Sequence, residues 1–174
     1  MPKVELKDKT ILITGAAGFI GSNLVKKLLA TVPGVHIPGI DNCNDYYDVS
    51  LKEYRLEEIR KLADIHTESR WTFLKGNIGD KALVDRIFGD YQPAVVVNLA
   101  AQAGVRYSID HPDVYIESNI IGFYNILEAC RSYPVEHLVY ASSSSVYGSN
   151  KKIPYSTEDK VDNPVSLYAA TKKS

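Results

Sequence analysis

The chain has 174 residues, of which 45% are hydrophobic and 24% are charged, and its formal net charge is −1 at pH 7. This length suits one domain that can bury a core of its own. The near-neutral, scattered charge gives no electrostatic reason to expect binding to nucleic acid or to an anionic membrane, and the apolar runs are much too short to span a bilayer.

The cysteines, the histidines and the N-terminal residues narrow the class of protein further. The only two cysteines, Cys43 and Cys130, form no CxxC pair, which is typical of reduced thiols in a cytoplasmic protein. The four histidines are isolated, so we expect no metal site. Residues 1–10 lack the apolar core of a signal peptide. We therefore expect a cytoplasmic location.

Short runs rich in β-branched residues alternate with amphipathic segments along the chain. The patterns predict strands at 10–14, 35–41, 71–77, 94–100 and 137–143, and helices at 19–30, 51–62, 81–88 and 114–130. The strand runs are almost continuously apolar, which is typical of parallel strands covered on both faces. This order predicts an α/β fold with a doubly wound parallel sheet, the Rossmann architecture. Residues 148–164 are predicted to form a surface loop before a last helix.

A glycine-rich turn follows the first predicted strand and opens the first predicted helix. Gly15 would allow the tight turn, Gly18 would let a pyrophosphate approach the backbone, and Gly21 would let the helix pack close to the sheet. The amides of Phe19 and Ile20 would face the phosphates at the positive end of the helix. No Gly-Lys-Ser/Thr follows, which excludes a triphosphate-binding P-loop. The turn therefore predicts a dinucleotide site.

An acidic residue ends the second predicted strand. Asp41 comes about 20 residues after the glycine turn, where a carboxylate would bond the adenine ribose hydroxyls of a dinucleotide. A carboxylate there repels a 2′-phosphate, and the next residue is Asn42 and not an arginine. This pattern favours NAD over NADP as the cofactor. The alternative is that Asp41 only caps the following turn.

The last predicted helix carries a tyrosine and a lysine one turn apart. Tyr168 and Lys172 are at positions i and i+4, so a helix would place both on one face. A free phenol has a pKa of about 10 and is a poor base at neutral pH, but a nearby ammonium favours the phenolate. Lys172 could also bond the nicotinamide ribose. The alternative is a core tyrosine and a surface lysine, since this spacing is common by chance.

These motifs together resemble the extended short-chain dehydrogenase/reductase superfamily, and the resemblance covers the whole chain. The glycine spacing resembles that superfamily and not the G-x-G-x-x-G of ordinary dehydrogenases. Residues Asn98-Leu99-Ala100-Ala101 are similar to its motif beside the nicotinamide ribose, and Asn119 matches its mid-helix asparagine. The resemblance implies that Leu99, Ala100, Ala101 and Asn119, together with Tyr168 and Lys172, contact NAD.

The sequence departs from the superfamily at Asn77-Ile78, where the family usually has an acidic residue. That residue accepts a hydrogen bond from the adenine amino group. The amide oxygen of Asn77 can accept the same bond. The resemblance therefore still implies that Asn77 and Ile78 hold the adenine of NAD.

Three stretches resemble the capsule-type UDP-glucuronate 4-epimerases, which make UDP-galacturonate for polysaccharide biosynthesis. They are DNCNDYYDVSLKEYRLE at 41–57, AAQAGVRYSIDHP at 100–112 and YASSSSVYGSNKKIPYSTED at 140–159. The resemblance implies an NAD-dependent enzyme of nucleotide-sugar metabolism that inverts C4 of a UDP-sugar by transient oxidation and hydride return. Tyr168 would take the proton from the C4 hydroxyl during this reaction. We interpret the tyrosines of residues 44–48 as packing for an inserted loop, with a sugar platform as the alternative.

The family likeness also assigns roles in the serine run and in the loop after the fourth strand. Alignment on Val146-Tyr147-Gly148 identifies Ser143 as the residue that donates to the 4-oxygen of the sugar and shuttles a proton to Tyr168. Ser144 and Ser145 stand at substrate-facing places where the related 4,6-dehydratases carry the Asp-Glu pair needed to eliminate water. Their identity argues against dehydration. Arg106 could reach the phosphate or carboxylate of the substrate, or it could be a solvated loop arginine.

Two other interpretations of the sequence remain open. The first is another nucleotide-sugar enzyme: a UDP-N-acetylglucosamine or UDP-glucose 4-epimerase, or a UDP-glucuronate decarboxylase. The second is a non-catalytic NAD-binding protein of the same fold, which the Tyr168–Lys172 pair disfavours. Such proteins commonly lack this pair.

The sequence stops inside the last predicted helix, and this position bears on what the chain can do alone. We expect residues 1–174 to be the NAD-binding Rossmann domain of a longer epimerase, truncated before a C-terminal substrate lobe. The 174 residues would then bind NAD weakly and turn over no substrate. Family likeness further implies a homodimer formed through the helices at 114–130 and around Tyr168.

Overall fold

Five parallel strands form one sheet in the order β3-β2-β1-β4-β5. In the computed structural model, which describes residues 4–174, the strands are β1 (Ile11–Thr14), β2 (His36–Asp41), β3 (Arg70–Lys75), β4 (Val95–Asn98) and β5 (His137–Tyr140). β1 is central and pairs with β2 on one side and β4 on the other. The strand order therefore reverses between β1 and β4, which opens a crevice at the carboxyl ends of these strands.

The connections between the strands are mainly helical. The α-helices are α1 (Phe19–Thr31), α2 (Val49–Ile65), α3 (Lys81–Tyr91), α4 (Tyr107–Asp110), α5 (Pro112–Tyr115), α6 (Phe123–Ser132) and α7 (Leu167–Lys173). A π-helical segment (Ile116–Gly122) joins α5 to α6, and a 3-10 turn (Ser144–Tyr147) follows β5. No helix in residues 4–174 combines the length and the apolar character needed to cross a membrane.

Two hydrophobic cores cover the two faces of the sheet. Ile11 and Ile13 of β1 point into one core, where they meet the apolar faces of α1 and α2. Leu12 points into the other core, which α3 and α6 close. Successive side chains of a strand point to opposite faces, so continuously apolar strands need helices on both sides. The predicted doubly wound parallel sheet is therefore confirmed.

The predicted strand ends were wrong by up to three residues. The predicted strands at 94–100 and 137–143 end at Asn98 and Tyr140, because the chain leaves the sheet there to form loops at its carboxyl edge. Small or apolar residues follow both points, at 99–101 and 141–143, so the composition did not indicate where the strands end. β5 is an edge strand of the described sheet, and its last two residues are exposed.

The predicted regular helix at 114–130 was also wrong in detail. The structure has an uninterrupted helical path from Pro112 to Ser132, but its middle is π-helical from Ile116 to Gly122. A π-helix has more residues in each turn than an α-helix, so a test for 3.6-residue periodicity cannot detect it. Such segments are frequent at functional sites, and this one holds Asn119.

Candidate functional site

A groove lies at the carboxyl ends of β1, β2 and β4, where the strand order reverses. Its lining includes these residues predicted to bind the cofactor: Gly15, Gly18, Asp41, Asn42, Asn77, Ile78, Leu99, Ala100 and Ala101. A second, smaller cavity is lined by Asn119 and Lys172 and shares Ala100 with the groove. The structure therefore brings most of the predicted residues together around two neighbouring cavities.

The glycine turn is packed so closely that side chains are excluded from it. Gly15 has a left-handed φ of +69°, and a Cβ on it would lie 2.8 Å from the backbone nitrogen of Ala100. A Cβ on Gly21 would lie 2.2 Å from the Gly15 carbonyl oxygen. The prediction for Gly21 invoked packing between helix and sheet, but the structure shows that this residue faces the turn itself.

The first turn of α1 presents uncapped backbone amides beside the groove. Gly18 is the N-cap residue and has no side chain that could accept their hydrogen bonds. The side chains of Phe19 and Ile20 are exposed, so this end of the helix is not buried in a hydrophobic core. Free N–H groups and the positive end of the helix dipole suit an anionic group such as a diphosphate.

Asp41 ties the glycine turn to the loop that follows β2. Its Oδ2 accepts a hydrogen bond from the Ala17 amide at 3.1 Å, and its Oδ1 accepts one from the Cys43 amide at 2.8 Å. The side chain is buried, yet it lines the groove. The capping of the following turn, which was the alternative interpretation, is therefore present. Each carboxylate oxygen keeps a further lone pair, so the predicted bond to a ribose remains open to Asp41.

Lys52 is a site residue that the sequence analysis missed. It is only 6% exposed and lines the groove, and its ammonium donates to the carbonyl oxygen and Oδ1 of Asn44 at 2.9 and 2.8 Å. The same ammonium lies 3.9 Å from Asp41 Oδ1. Lysines on amphipathic helices are usually at the surface. Its helical position alone therefore gave no sign that it is buried here.

The residues predicted to hold the adenine are fixed by contacts within the protein. Asn77 Oδ1 accepts a hydrogen bond from the Gly79 amide at 2.9 Å, and its Nδ2 donates to Glu117 Oε1 at 2.9 Å. Ile78 is buried and lines the groove beside it. The oxygen that was predicted to accept from adenine thus already has one donor. One lone pair of this amide oxygen remains for a second.

The loop after β4 is held against β1 by one threonine. The Thr14 hydroxyl donates to Asn98 Oδ1 at 2.6 Å and accepts from the amides of Leu99 and Ala100 at 3.1 and 3.0 Å. Thr14 and its three partners lie at the carboxyl ends of two paired strands. This arrangement fixes the backbone of Leu99 and Ala100 next to Gly15.

Asn119 connects the groove to the helix that carries the candidate base. Its Oδ1 accepts from the Gln102 amide at 2.8 Å, and its Nδ2 donates to the Gln102 carbonyl at 3.0 Å and to Thr171 Oγ1 at 3.0 Å. The resemblance implied that Asn119 contacts the cofactor. The structure gives its amide group these three protein partners, which position the loop after β4 and α7. Its Oδ1 keeps one further lone pair and the residue lines the second cavity, so the implied cofactor contact stays a prediction.

Tyr168 and Lys172 lie on α7, as predicted, and each has a different environment. The half-buried Tyr168 ring packs edge-on against Tyr115, with 6.1 Å between the ring centroids. Lys172 Nζ donates to the Ala141 carbonyl at 3.0 Å, and burial lowers the pKa of this ammonium. Within residues 4–174, no hydrogen bond joins the ammonium to the Tyr168 phenol. The predicted pair therefore lies one turn apart on α7 without a direct hydrogen bond between the two side chains.

The serines after β5 form the start of the 3-10 turn that packs against α7. Ser143 is its N-cap residue, and its Oγ accepts a hydrogen bond from the Ser145 amide at 3.2 Å. Because the amide donates to this oxygen, the hydroxyl hydrogen of Ser143 remains available for another acceptor. Ser144 is exposed and Ser145 is half-buried. The structure thus places the predicted substrate serines beside the helix of Tyr168.

Arg106 lies outside the groove. It is exposed in a shallow depression that it shares with Tyr46, Tyr107 and Asp110. Tyr46 packs against Tyr107 and Tyr47 with centroid distances of 4.8 and 4.6 Å, and burial raises its pKa. Tyr46 thus packs within the tyrosine-rich loop. Because Tyr46 and Tyr47 also line the groove, the sugar-platform alternative stays open.

Comparisons with known proteins agree with this architecture. Residues 12–174 match the family model described as GDP-mannose 4,6 dehydratase. Protein CapI of Staphylococcus aureus is 56% identical over 94% of the chain, and UDP-glucuronate 4-epimerase 4 of Arabidopsis thaliana is 47% identical over 95%. The chain spans only 46% and 36% of the length of these two relatives.

A solved structure has the same fold over nearly the whole chain. The crystal structure of UDP-glucose 4-epimerase from Thermus thermophilus in complex with NAD matches with a TM-score of 0.73 and 34% identity. The match covers 94% of this chain and 47% of that one. Together with the family model, it shows that this chain belongs to the GDP-mannose 4,6-dehydratase family, whose members are nucleotide-sugar epimerases and dehydratases of the extended short-chain dehydrogenase/reductase superfamily.

Proposed function

We propose that the chain is the NAD-binding domain of a UDP-sugar 4-epimerase, and that the substrate is UDP-glucuronate. The observation that carries the proposal is the bridge made by Asn119. Its three hydrogen bonds join the groove, through Gln102, to α7, through Thr171. A cofactor groove is thereby held against the helix of the candidate base, which is the arrangement that hydride transfer coupled to proton transfer requires.

The groove fits NAD at three points. Side chains are excluded at Gly15 and Gly21, so a diphosphate can approach the turn closely, and the amides at the start of α1 are uncapped. Asp41 supplies carboxylate oxygens for a ribose diol and repels a 2′-phosphate, which favours NAD over NADP. Bound NAD would supply the acceptor and donor of hydride. The relative from Thermus thermophilus, 34% identical, has NAD bound.

The residues of α7 and of the 3-10 turn would carry out the proton transfer at the C4 hydroxyl. Tyr168 would accept the proton of the C4 hydroxyl and return it at the end of the cycle. The partly desolvated ammonium of Lys172 would favour the phenolate, because charges interact more strongly where water is excluded. The hydroxyl hydrogen of Ser143 is available for the 4-oxygen of the sugar. Within a family named for dehydration, Ser144 and Ser145 supply no acid and base for eliminating water, which supports epimerisation.

UDP-glucuronate is the favoured substrate because a relative from Arabidopsis thaliana with 47% identity is named UDP-glucuronate 4-epimerase 4. UDP-glucose is the second candidate, because two solved neighbours are 4-epimerases of UDP-glucose. UDP-N-acetylglucosamine remains an alternative from the family likeness. The remaining alternatives are a UDP-glucuronate decarboxylase and a non-catalytic NAD-binding protein. We further propose a role in making capsule polysaccharide, for which the name of the relative with 56% identity, CapI, is the support. A cytoplasmic location is proposed because Cys43 and Cys130 form no disulfide.

The substrate proposal is tested by supplying the natural full-length protein with each UDP-sugar and identifying the products by NMR. We expect UDP-galacturonate from UDP-glucuronate, with at least about tenfold lower kcat/KM for UDP-glucose and UDP-N-acetylglucosamine. Formation of UDP-xylose would instead identify a decarboxylase. NAD binding without any turnover would identify the non-catalytic alternative. Residues 1–174 alone should bind NAD and turn over none of these sugars.

We also propose a homodimer formed through the helical path from Pro112 to Ser132 and α7. A stripe of apolar side chains on this path is unpartnered in the described chain, with exposed fractions of 41–56%: Ile116, Ile121, Tyr124 and Leu127. Exposed apolar stripes of this kind favour contact with another protein surface. The double substitution of Tyr124 and Leu127 by glutamate should convert a dimer to a monomer in analytical ultracentrifugation.

The matched control for the dimer is Leu51→Glu. Leu51 has a similar exposed fraction, 48%, but lies on α2. This variant should remain a dimer. A natural protein that sediments as a monomer at all accessible concentrations, or a dimer that survives the double substitution, would contradict the proposed interface.

A further inference from the structure

The side chain of Gln102 has an enclosed amide nitrogen without a hydrogen-bond partner. Gln102 is 5% exposed and lines the groove. Among the fully enclosed side-chain nitrogen and oxygen atoms of residues 4–174, its Nε2 is the one that lacks a partner. Native proteins rarely leave such a donor unpaired, so an enclosed donor without a partner calls for an explanation, such as a functional role or a bound group that completes it.

The backbone of Gln102 cannot move easily to satisfy this nitrogen. Its amide and its carbonyl are both bonded to the side chain of Asn119, at 2.8 and 3.0 Å. Asn119 is in turn bonded to Thr171 of α7. The backbone amide and carbonyl of Gln102 are therefore both held by hydrogen bonds, and only its side chain can change conformation to reach a partner.

Tyr115 is the nearest candidate partner within the protein. The Gln102 carboxamide lies beside this phenol and opposes the rise in its pKa that burial causes. The Tyr115 hydroxyl donates to the Ala103 carbonyl at 2.7 Å. The amide nitrogen of Gln102 nevertheless has no acceptor at hydrogen-bonding distance and angle. Tyr115 thus leaves the donor unsatisfied.

We propose that Gln102 is a cofactor-positioning residue whose carboxamide turns toward the groove and bonds an oxygen on the nicotinamide riboside half of the bound dinucleotide. The inference rests on the proposed NAD site. Gln102 lies two residues beyond Ala100, whose amide contacts the glycine turn, and it is joined through Asn119 to α7. It is therefore linked both to the turn for the diphosphate and to the helix of Tyr168.

The test is Gln102→Met, which keeps the length of the side chain and removes its hydrogen-bonding atoms. Isothermal titration of the 174-residue chain should show that the Kd for NAD rises about tenfold, as expected for one lost hydrogen bond. The Kd for ADP, which lacks the nicotinamide riboside half, should change less than about twofold. ADP-ribose keeps this ribose and lacks the nicotinamide, so the change in its Kd shows which of the two groups Gln102 bonds.

The stability of the ligand-free variant distinguishes this role from a structural one. Because Gln102→Met removes an enclosed, unsatisfied donor, the Tm without ligand should stay equal or rise. The matched control is Gln92→Met, the same substitution at an exposed position that does not line the groove, which should leave both Kd values unchanged.

Three outcomes would overturn the inference. Equal losses of affinity for NAD and ADP, or a lowered Tm without ligand, would assign Gln102 a structural role next to Tyr115. An unchanged Kd for NAD would remove the proposed bond while leaving the NAD site intact. Failure of the natural full-length protein to bind NAD would end both this inference and the proposed function. Absence of epimerase activity in a protein that still binds NAD would contradict the proposed function but not the inference about Gln102.

Discussion

Replacing Tyr168 by phenylalanine should lower the kcat of the natural full-length protein by about 10³-fold or more on its UDP-sugar. The change removes one oxygen atom and with it the only proposed acceptor for the C4 proton, and acid–base residues of this kind contribute about 10²–10⁴-fold. The ring itself should keep its edge-on packing against Tyr115, because the aromatic faces are unchanged. The Kd for NAD should therefore change less than about threefold.

Turnover and NAD binding must be measured on the same preparation of Tyr168→Phe. Tyr54→Phe is the matched control, because Tyr54 is an exposed tyrosine on α2 that does not line either cavity. It should retain full activity. If Tyr168→Phe retains activity within tenfold of the natural protein, Tyr168 is not the base and the proposed mechanism fails.

Replacing Gly15 by alanine should abolish measurable NAD binding. The added Cβ would lie 2.8 Å from the Ala100 nitrogen and 3.0 Å from the Leu99 carbonyl carbon, and both atoms are backbone that cannot rotate away. The φ of +69° adds strain for any residue with a Cβ. Relief of these contacts requires the turn and the loop after β4 to separate. We expect the Kd for NAD, measured by titration calorimetry, to rise about 100-fold or more.

Two further glycine variants separate loss of the turn from loss of the fold. Gly89→Ala lies inside α3, where a Cβ would make only ordinary contact with Tyr133 at 3.4 Å, so it should bind NAD normally. Gly18→Ala has a backbone that any residue adopts, and its closest contact would be 3.1 Å. It should fold while still weakening NAD binding. Normal NAD binding by Gly15→Ala would show that the groove is not the dinucleotide site.

The sequence alone determined the architecture and the glycine turn. Apolar runs and helical periodicity are short-range properties, and the alternation of strands and helices leaves few topologies that bury both faces of a sheet. The turn could be predicted because a strand, three spaced glycines and a helix lie within a few residues of each other. The i, i+4 spacing indicated Tyr168 and Lys172, and the resemblance supported their roles and added Ser143, which local patterns do not identify.

The tertiary structure decided which polar groups are already paired and which remain free. Lys52 is buried against Asn44, Asn119 is bonded to Gln102 and Thr171, and the Gln102 nitrogen has no partner. Sequence patterns could not show these features. The bonds of Asn119 join residues 17 and 52 positions apart, and burial depends on all the elements that pack around a side chain. Periodicity shows which face of an element is apolar. Which hydrogen-bonding groups of a binding groove stay unpaired is decided only when segments that are distant in sequence pack together.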